Sequence, residues 1–235
     1  MHKPFVVPSE LEKKLLARRG KLHAYDSVDP KKTALVVVDM QNFFMADGEL
    51  MAANGAADIV PNVNRLAREL RAAGGVVVWI QALAEAPGTD GWEPFHALFH
   101  EKAQGRRLSS MNINGEGFKL WPEMDVKPED ERVIKKRYSA FIQGASNIEE
   151  VLRRHGVEMV LITGVATNVC CDSTGRDCMM RGFRTIMVSD GNASFAEDEH
   201  QAALLGFITY FGDVQTTDEV IGRINASEKR EAAVV

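Results

Sequence analysis

The chain has 235 residues, 28 Lys and Arg against 33 Asp and Glu for a net charge of −5, and 45% apolar residues. This is the ordinary mix of a folded domain and excludes disordered, collagen-like and disulfide-scaffold chains. The mild acidic excess offers no basic surface for nucleic acid, and apolar runs such as 34–38 and 76–80 are too short to span a bilayer.

Residues 1–32 read as an N-terminal arm, with Leu11, Leu15, Leu16 and Leu22 on a weakly amphipathic helix. No apolar signal core precedes it. Residues 33–228 read as a single domain. The β-branched run 34–38 predicts a strand buried on both faces, ending at Asp39. Residues 40–58 read as a loop, and Val63, Leu66 and Leu70 predict a helix over 62–73 that stops at Gly74-Gly75. A second buried strand follows at 76–80. Residues 82–130 are broken repeatedly by Pro, Gly and Asn and show little periodicity, which in a long connection points to function. Strands are expected at 132–135, 158–163, 184–189 and 208–211. Helices are expected at 147–155, 168–181 and 197–205. Thr216 and Glu219 form a capping box for a last helix to residue 224, followed by a frayed tail. Alternating strands and helices imply βαβ units, a parallel sheet and one three-layer α/β/α domain.

Ligands of such sheets bind beyond the carboxyl ends of the strands. An acid (Asp39), an amine (Lys135) and a thiol (Cys170) stand at three of those ends, and Gln81 stands at a fourth. Cys170 falls in the first turn of a helix capped by Thr167 or Asn168, where the positive helix end lowers a thiol pKa. Each residue also has a plain structural reading: a small buried hydrophobe for Cys170, a salt bridge tying strand ends for Asp39 and Lys135. Together they fit a nucleophile, a base and a cation that holds the pair.

The three cysteines, Cys170, Cys171 and Cys178, lie within nine residues. That is not a disulfide framework, and it suits a cytoplasmic protein with one chemical thiol. A Cys170/Cys171 thiol switch without hydrolysis is the rival from another class. His96 and His100, four apart, offer a metal face only if a third ligand joins them; two histidines bordering a substrate loop is the plainer reading, and no metal is expected. No Gly-rich phosphate fingerprint follows the first strand, so no nucleotide cofactor is expected. Phe43, Phe44, Trp92, Tyr138 and Phe141, with Gln81, are candidates to line a small pocket. Trp92 and Phe95 are the lid candidates, and Arg106, Arg107, Lys119 and Arg137 could each recognise a carboxylate on a substrate.

Three motifs in order, VVVDMQN ending the first strand, KKRYSAF starting at Lys135 and TGVATNVC up to Cys170, resemble the isochorismatase-like cysteine hydrolases over residues 30–225. The match is nearest the ureidoacrylate amidohydrolase and N-carbamoylsarcosine amidase branch, carried by residues 137–141 and 166–170. The resemblance implies a six-stranded parallel sheet in the order 3-2-1-4-5-6. It implies an Asp39–Lys135–Cys170 catalytic triad. It also implies a cis peptide at Val165–Ala166, which aims the amides of Ala166 and Cys170 into an oxyanion hole. The implied reaction is hydrolysis of a C–N bond in a small amide or ureido compound through a covalent Cys170 intermediate, in a homo-dimer or homo-tetramer. The arm and residues 82–130 are the expected contact surfaces. The nicotinamidase-type alternative is disfavoured because no His follows Asp39 before His96. The isochorismatase-type alternative is disfavoured because true isochorismatases lack the cysteine.

Overall fold

The computed structural model describes residues 2–53 and 55–232. Helix α1 (Ser9–Arg19) and a 3₁₀ turn (Pro30–Lys32) lead into β1 (Thr33–Val38), followed by the single turn α2 (Asn42–Met45) and the long α3 (Ala56–Ala72). Next come β2 (Val76–Ala82), the short helices α4 (Glu93–His96) and α5 (Glu101–Ser110), and β3 (Glu131–Lys135). The remainder alternates: α6 (Ile148–Arg154), β4 (Met159–Val165), α7 (Asp172–Met180), β5 (Arg184–Ala193), α8 (Glu197–Tyr210), β6 (Asp213–Gln215) and α9 (Thr217–Ala232).

The six strands form one sheet, β3-β2-β1-β4-β5-β6, with every neighbouring pair parallel. Side chains alternate between faces along a strand, so β1 feeds two cores. Leu35 and Val37 join α3 and α9 on one side; Ala34, Val36 and Val38 join α6, α7 and α8 on the other. All six β1 residues are buried. Filling both faces makes β1 the apolar run visible in the sequence.

The arm packs on the second core through Leu15, with Phe5, Val7, Leu11 and Leu22 beside it. Its residues 23–26 run along the outer side of β6. Asp213 accepts from the Tyr25 amide (3.1 Å) and pairs with His23 (3.1 Å), and Gln215 donates to the Tyr25 carbonyl (3.0 Å).

Several element boundaries differ from the sequence-based expectation. The stretch 40–58 is not all loop: it contains α2 and the first turn of α3. That helix starts at Ala56 because Ile59 and Val60 extend the buried face of Val63 and Leu66, at the cost of the one hydrogen bond Pro61 cannot donate. The apolar stretch at 208–211 is not a strand. Leu204, Phe207 and Ile208 lie on the buried face of α8, and the last strand falls later, at the largely polar Asp213–Gln215. The final helix continues past 224 to Ala232; the expected frayed tail at 233–235 lies outside the described residues. No helix among the described residues is long and apolar enough to cross a membrane.

Candidate active site

Asp39 is the first residue past β1, and its backbone takes a left-handed conformation (φ 54°). An L-residue pays for that turn with steric strain, tolerated best by Asp, Asn and Gly. The chain leaves the sheet there, and the carboxylate stays behind with no exposed surface. Lys135, the last residue of β3, reaches it from two strands away.

The Lys135 Nζ lies 2.8 Å from Asp39 Oδ2, 3.0 Å from the Arg137 carbonyl and 3.4 Å from Cys170 Sγ. Two of the ammonium's N–H donors go to the Arg137 carbonyl and the sulfur, and Asp39 lies at ion-pair distance. The acid, the amine and the thiol therefore meet in one buried cluster.

The turn carrying Cys170 is built by an irregular stretch of sheet. β4 and β5 slip in register between Ile162 and Gly164, and the Asn192 amide patches the break by donating to the Ile162 and Val188 carbonyls. Gly164 has φ 115°, and a Cβ there would stand 2.0 Å from the Val38 carbonyl oxygen. Only glycine lets β4 pass so close to β1. The Val165–Ala166 peptide is cis, as the resemblance implies.

Neither Thr167 nor Asn168 caps the helix, contrary to expectation. Ala166 takes that position, and 167–171 form one turn of π-helix before α7. The Ala166 carbonyl accepts from Val169 (3.1 Å) and Cys171 (3.2 Å), on either side of Cys170. Thr167 is turned inward instead, sharing a 2.8 Å hydrogen bond with His200 of α8. Burial lowers the His200 pKa to about 4, keeping that ring neutral at neutral pH.

The electrostatics also correct the sequence reading of the thiol. Burial pushes Cys170 up to about 12, against the pull of Lys135, with Asp39 adding to the rise. The resting group is the thiol, not a thiolate. Burial likewise lifts the Asp39 carboxyl above the usual carboxylate range, opposed by Lys135. Burial disfavours the Lys135 ammonium too, but Asp39 and Cys170 beside it more than restore the charge, and its pKa is raised.

A cavity of about 130 Å³ opens over Lys135 and Cys170. Of the expected wall residues, Phe43, Phe44, Trp92 and Tyr138 line it. Trp92 stacks on Phe95 at 4.1 Å, and Tyr138 meets both rings edge-on. Gln81 and Phe141 do not line it. The Gln81 amide is buried on the α3 side, donating to the Phe118 carbonyl (2.8 Å); Phe141 packs against Phe183 in the second core.

Arg107, Phe99, Asp90 and Phe195 also line the cavity. Asp90 and Phe99 were not picked out because they lie in the stretch without periodicity, and Phe195 because it lies in the short connection between β5 and α8; Arg107 was expected only as one of four basic residues able to meet a carboxylate. His96 and His100 are otherwise engaged. His96 Nε2 bonds Asp90 (3.0 Å) and its Nδ1 takes the Gln104 amide (2.9 Å); His100 Nδ1 caps α5. No group of three or more His, Cys, Asp or Glu that could hold a metal occurs among the described residues.

The isochorismatase domain model matches residues 33–219. A ureidoacrylate amidohydrolase from Caulobacter vibrioides is 32% identical over 209 residues, covering 83% of this chain and 92% of its own. The crystal structure of a cysteine hydrolase from Pseudomonas syringae pv. phaseolicola superposes with a TM-score of 0.77 at 26% identity, over 97% of this chain and all of that one. An N-carbamoylsarcosine amidase from Thermoplasma acidophilum gives a TM-score of 0.64 at 26% identity, over 80% and 97% of the two chains.

Proposed function

This chain belongs to the isochorismatase family of hydrolases, and on that premise we propose that it is a cysteine-dependent amidohydrolase cleaving a C–N bond in a small amide or ureido compound. The observation that carries this reading is the contact of one buried ammonium with both Asp39 and the Cys170 sulfur beneath the cavity. The kinship to a ureidoacrylate amidohydrolase and an N-carbamoylsarcosine amidase supports the substrate class.

In this mechanism Cys170 Sγ attacks the substrate carbonyl while its proton passes to Asp39. A resting thiol needs such a base, and a carboxylate lifted by burial is a stronger one than a solvated aspartate. The carbonyl electron pair moves to oxygen, and the amides of Ala166 and Cys170 receive the oxyanion. Each such donor is worth about 3–4 kcal/mol in comparable sites. The C–N bond then breaks as Asp39 returns the proton to nitrogen, and ammonia or an amine departs. Water attacks the acyl-sulfur carbon, giving a proton to Asp39; the C–S bond breaks and the thiol is restored. Lys135 is engaged inside the cluster by the Asp39 charge, the Arg137 carbonyl and the sulfur, so its part is to hold Asp39 ionised and the sulfur in place.

A screen for ammonia release over primary amides, ureido acids, biuret-type compounds and nicotinamide tests the proposal, with the Cys170→Ala protein as blank. Release from at least one compound by the native protein and none by the variant is expected. Full activity in the variant would refute the mechanism. Disulfide formation between Cys170 and Cys171 on mild oxidation, with no acyl adduct from any compound, would favour the thiol switch. The Cys171 thiol faces the Thr163 carbonyl (3.9 Å) and has no exposed surface.

A further inference from the structure

The cations lining the cavity are matched with anions, except one. Lys135 pairs with Asp39 (2.8 Å), Lys136 with Glu85, and Arg137 with Asp90 (3.7 Å). Arg107 lines the same cavity and is only 6% exposed, yet no carboxylate lies within ion-pair distance of it among the described residues. Its Nη2 donates to the Glu85 carbonyl (3.1 Å) and approaches His96 Nδ1 (3.4 Å). Its Nε is buried and has no acceptor.

An unpaired buried charge is costly and calls for a partner. The aromatic rings around Arg107 supply part of one. The guanidinium carbon sits 4.8 Å from the Phe95 ring centre and 5.8 Å from that of Phe99. Aromatic rings offer no carboxylate or carbonyl acceptor, so guanidinium donors beyond the one given to Glu85 still lack a partner, and a planar fork of such donors matches a carboxylate. Asp90, close enough to act on Arg107 electrostatically, already bonds His96 and the Trp92 amide. A ligand with two negative charges would meet Asp90 and Glu85 in the same lining, whereas a single carboxylate matches the one unbalanced cation.

We propose that Arg107 is the specificity-determining residue of this site and binds a carboxylate on the substrate, so that the preferred substrates are ureido or amide acids rather than neutral amides. The inference rests on the amidohydrolase reading for its kinetic consequence, but not for the binding event.

Two measurements separate these. In the first, native protein and Arg107→Gln hydrolyse N-carbamoyl-β-alanine and its neutral analogue propylurea, read as ammonia release. The native protein is expected to favour the acid, and Arg107→Gln to lower its kcat/KM on the acid by about 100-fold more than on propylurea, mainly through KM. That size is the order expected when one partner of a desolvated charge pair is truncated. Arg107→Lys should recover part of the preference. No preference in the native protein, or equal losses on both compounds, would overturn the proposal.

In the second, the monocarboxylate succinamate and its neutral counterpart succinamide are titrated calorimetrically into Cys170→Ala protein, with and without Arg107→Gln. Succinamate alone should bind, and only where Arg107 is present. Succinamate binding by the Arg107→Gln protein, or none by its parent, would overturn the proposal. Arginine-dependent binding together with no ammonia release from any compound would leave the carboxylate subsite standing and sink the amidohydrolase reading instead.

Discussion

Replacing Lys135 by methionine removes the ammonium while keeping most of the stem that packs in the core. The two charges lie 2.8 Å apart, with Lys135 1% and Asp39 0% exposed. At an effective dielectric of about 20 their attraction is about 6 kcal/mol, and breaking a buried pair costs about 3–5 kcal/mol net. With a urea dependence of about 3 kcal/mol per molar, the unfolding midpoint at pH 7.5 should fall by about 1–2 M. The loss should depend on pH. Without Lys135, burial alone acts on Asp39, and its folded pKa rises further above the unfolded value of about 3.9. A carboxyl raised in this way contributes stability that is fully present below the unfolded value and lost as pH rises through the folded one. The deficit of Lys135→Met should therefore shrink steadily from pH 8 towards pH 5. Adding Asp39→Asn should recover at least half of it at pH 7.5. Urea unfolding followed by tryptophan fluorescence measures all three effects. If Lys135→Met unfolds at the native midpoint at pH 7.5, or if the second change restores nothing, the buried ion pair is not what holds this cluster.

The pH–rate profile of kcat/KM should have an acid limb above the ordinary carboxylate range, because Asp39 must be ionised to take the proton. It should have no alkaline limb from thiol titration up to pH 9, since Cys170 lies near 12; a limb near pH 8 tracking thiol alkylation would contradict this. Gly164→Ala should destabilise the protein by about 4 kcal/mol or more, or prevent folding, because its Cβ would collide with the Val38 carbonyl; a native-like urea midpoint would exclude that collision. The His23 pKa is raised, chiefly by its hydrogen bond to Asp213. Its stabilisation is thus fully present below the unfolded histidine value of about 6.5 and lost as pH rises through the folded value. A His23→Gln protein should lose that portion of the pH dependence, measured by thermal unfolding between pH 5 and 8.

The central strands were legible because burial on both faces demands unbroken apolar residues, as in β1 and β4. β6 was not, because its Asp213 and Gln215 are polar residues satisfied by the arm, a long-range pairing that no local pattern encodes. The apolar stretch before it belongs to α8, where the 3.6-residue period of Leu204, Phe207 and Ile208 outweighs the β-branched character of Ile208. Within the site, Asp39, Lys135 and Cys170 were legible from their places at strand ends. Gln81 stands at such an end too, yet strand alternation turns it to the opposite face from Ile80, towards Phe118. The depressed thiol pKa expected from a helix terminus failed because full burial outweighs half a unit charge. Arg107 was legible only as one of four basic residues able to meet a carboxylate; no periodic signal singled it out, because α5 is mostly polar and the buried guanidinium lies against rings from α4 and the loop after it.

The arm along β6 also governs how the sheet can grow. An outermost strand is a template for another chain to add to. On this flank the backbone of Tyr25 already engages Asp213 and Gln215, and Arg223 ties the same segment through the Asp26 carbonyl. A neighbouring molecule joining here by strand addition would first have to peel those residues away. At the opposite flank, β3 turns Arg132 and Ile134 outward with no such strap described over them, so deleting residues 2–26 should open a sticky margin on one side of the molecule only.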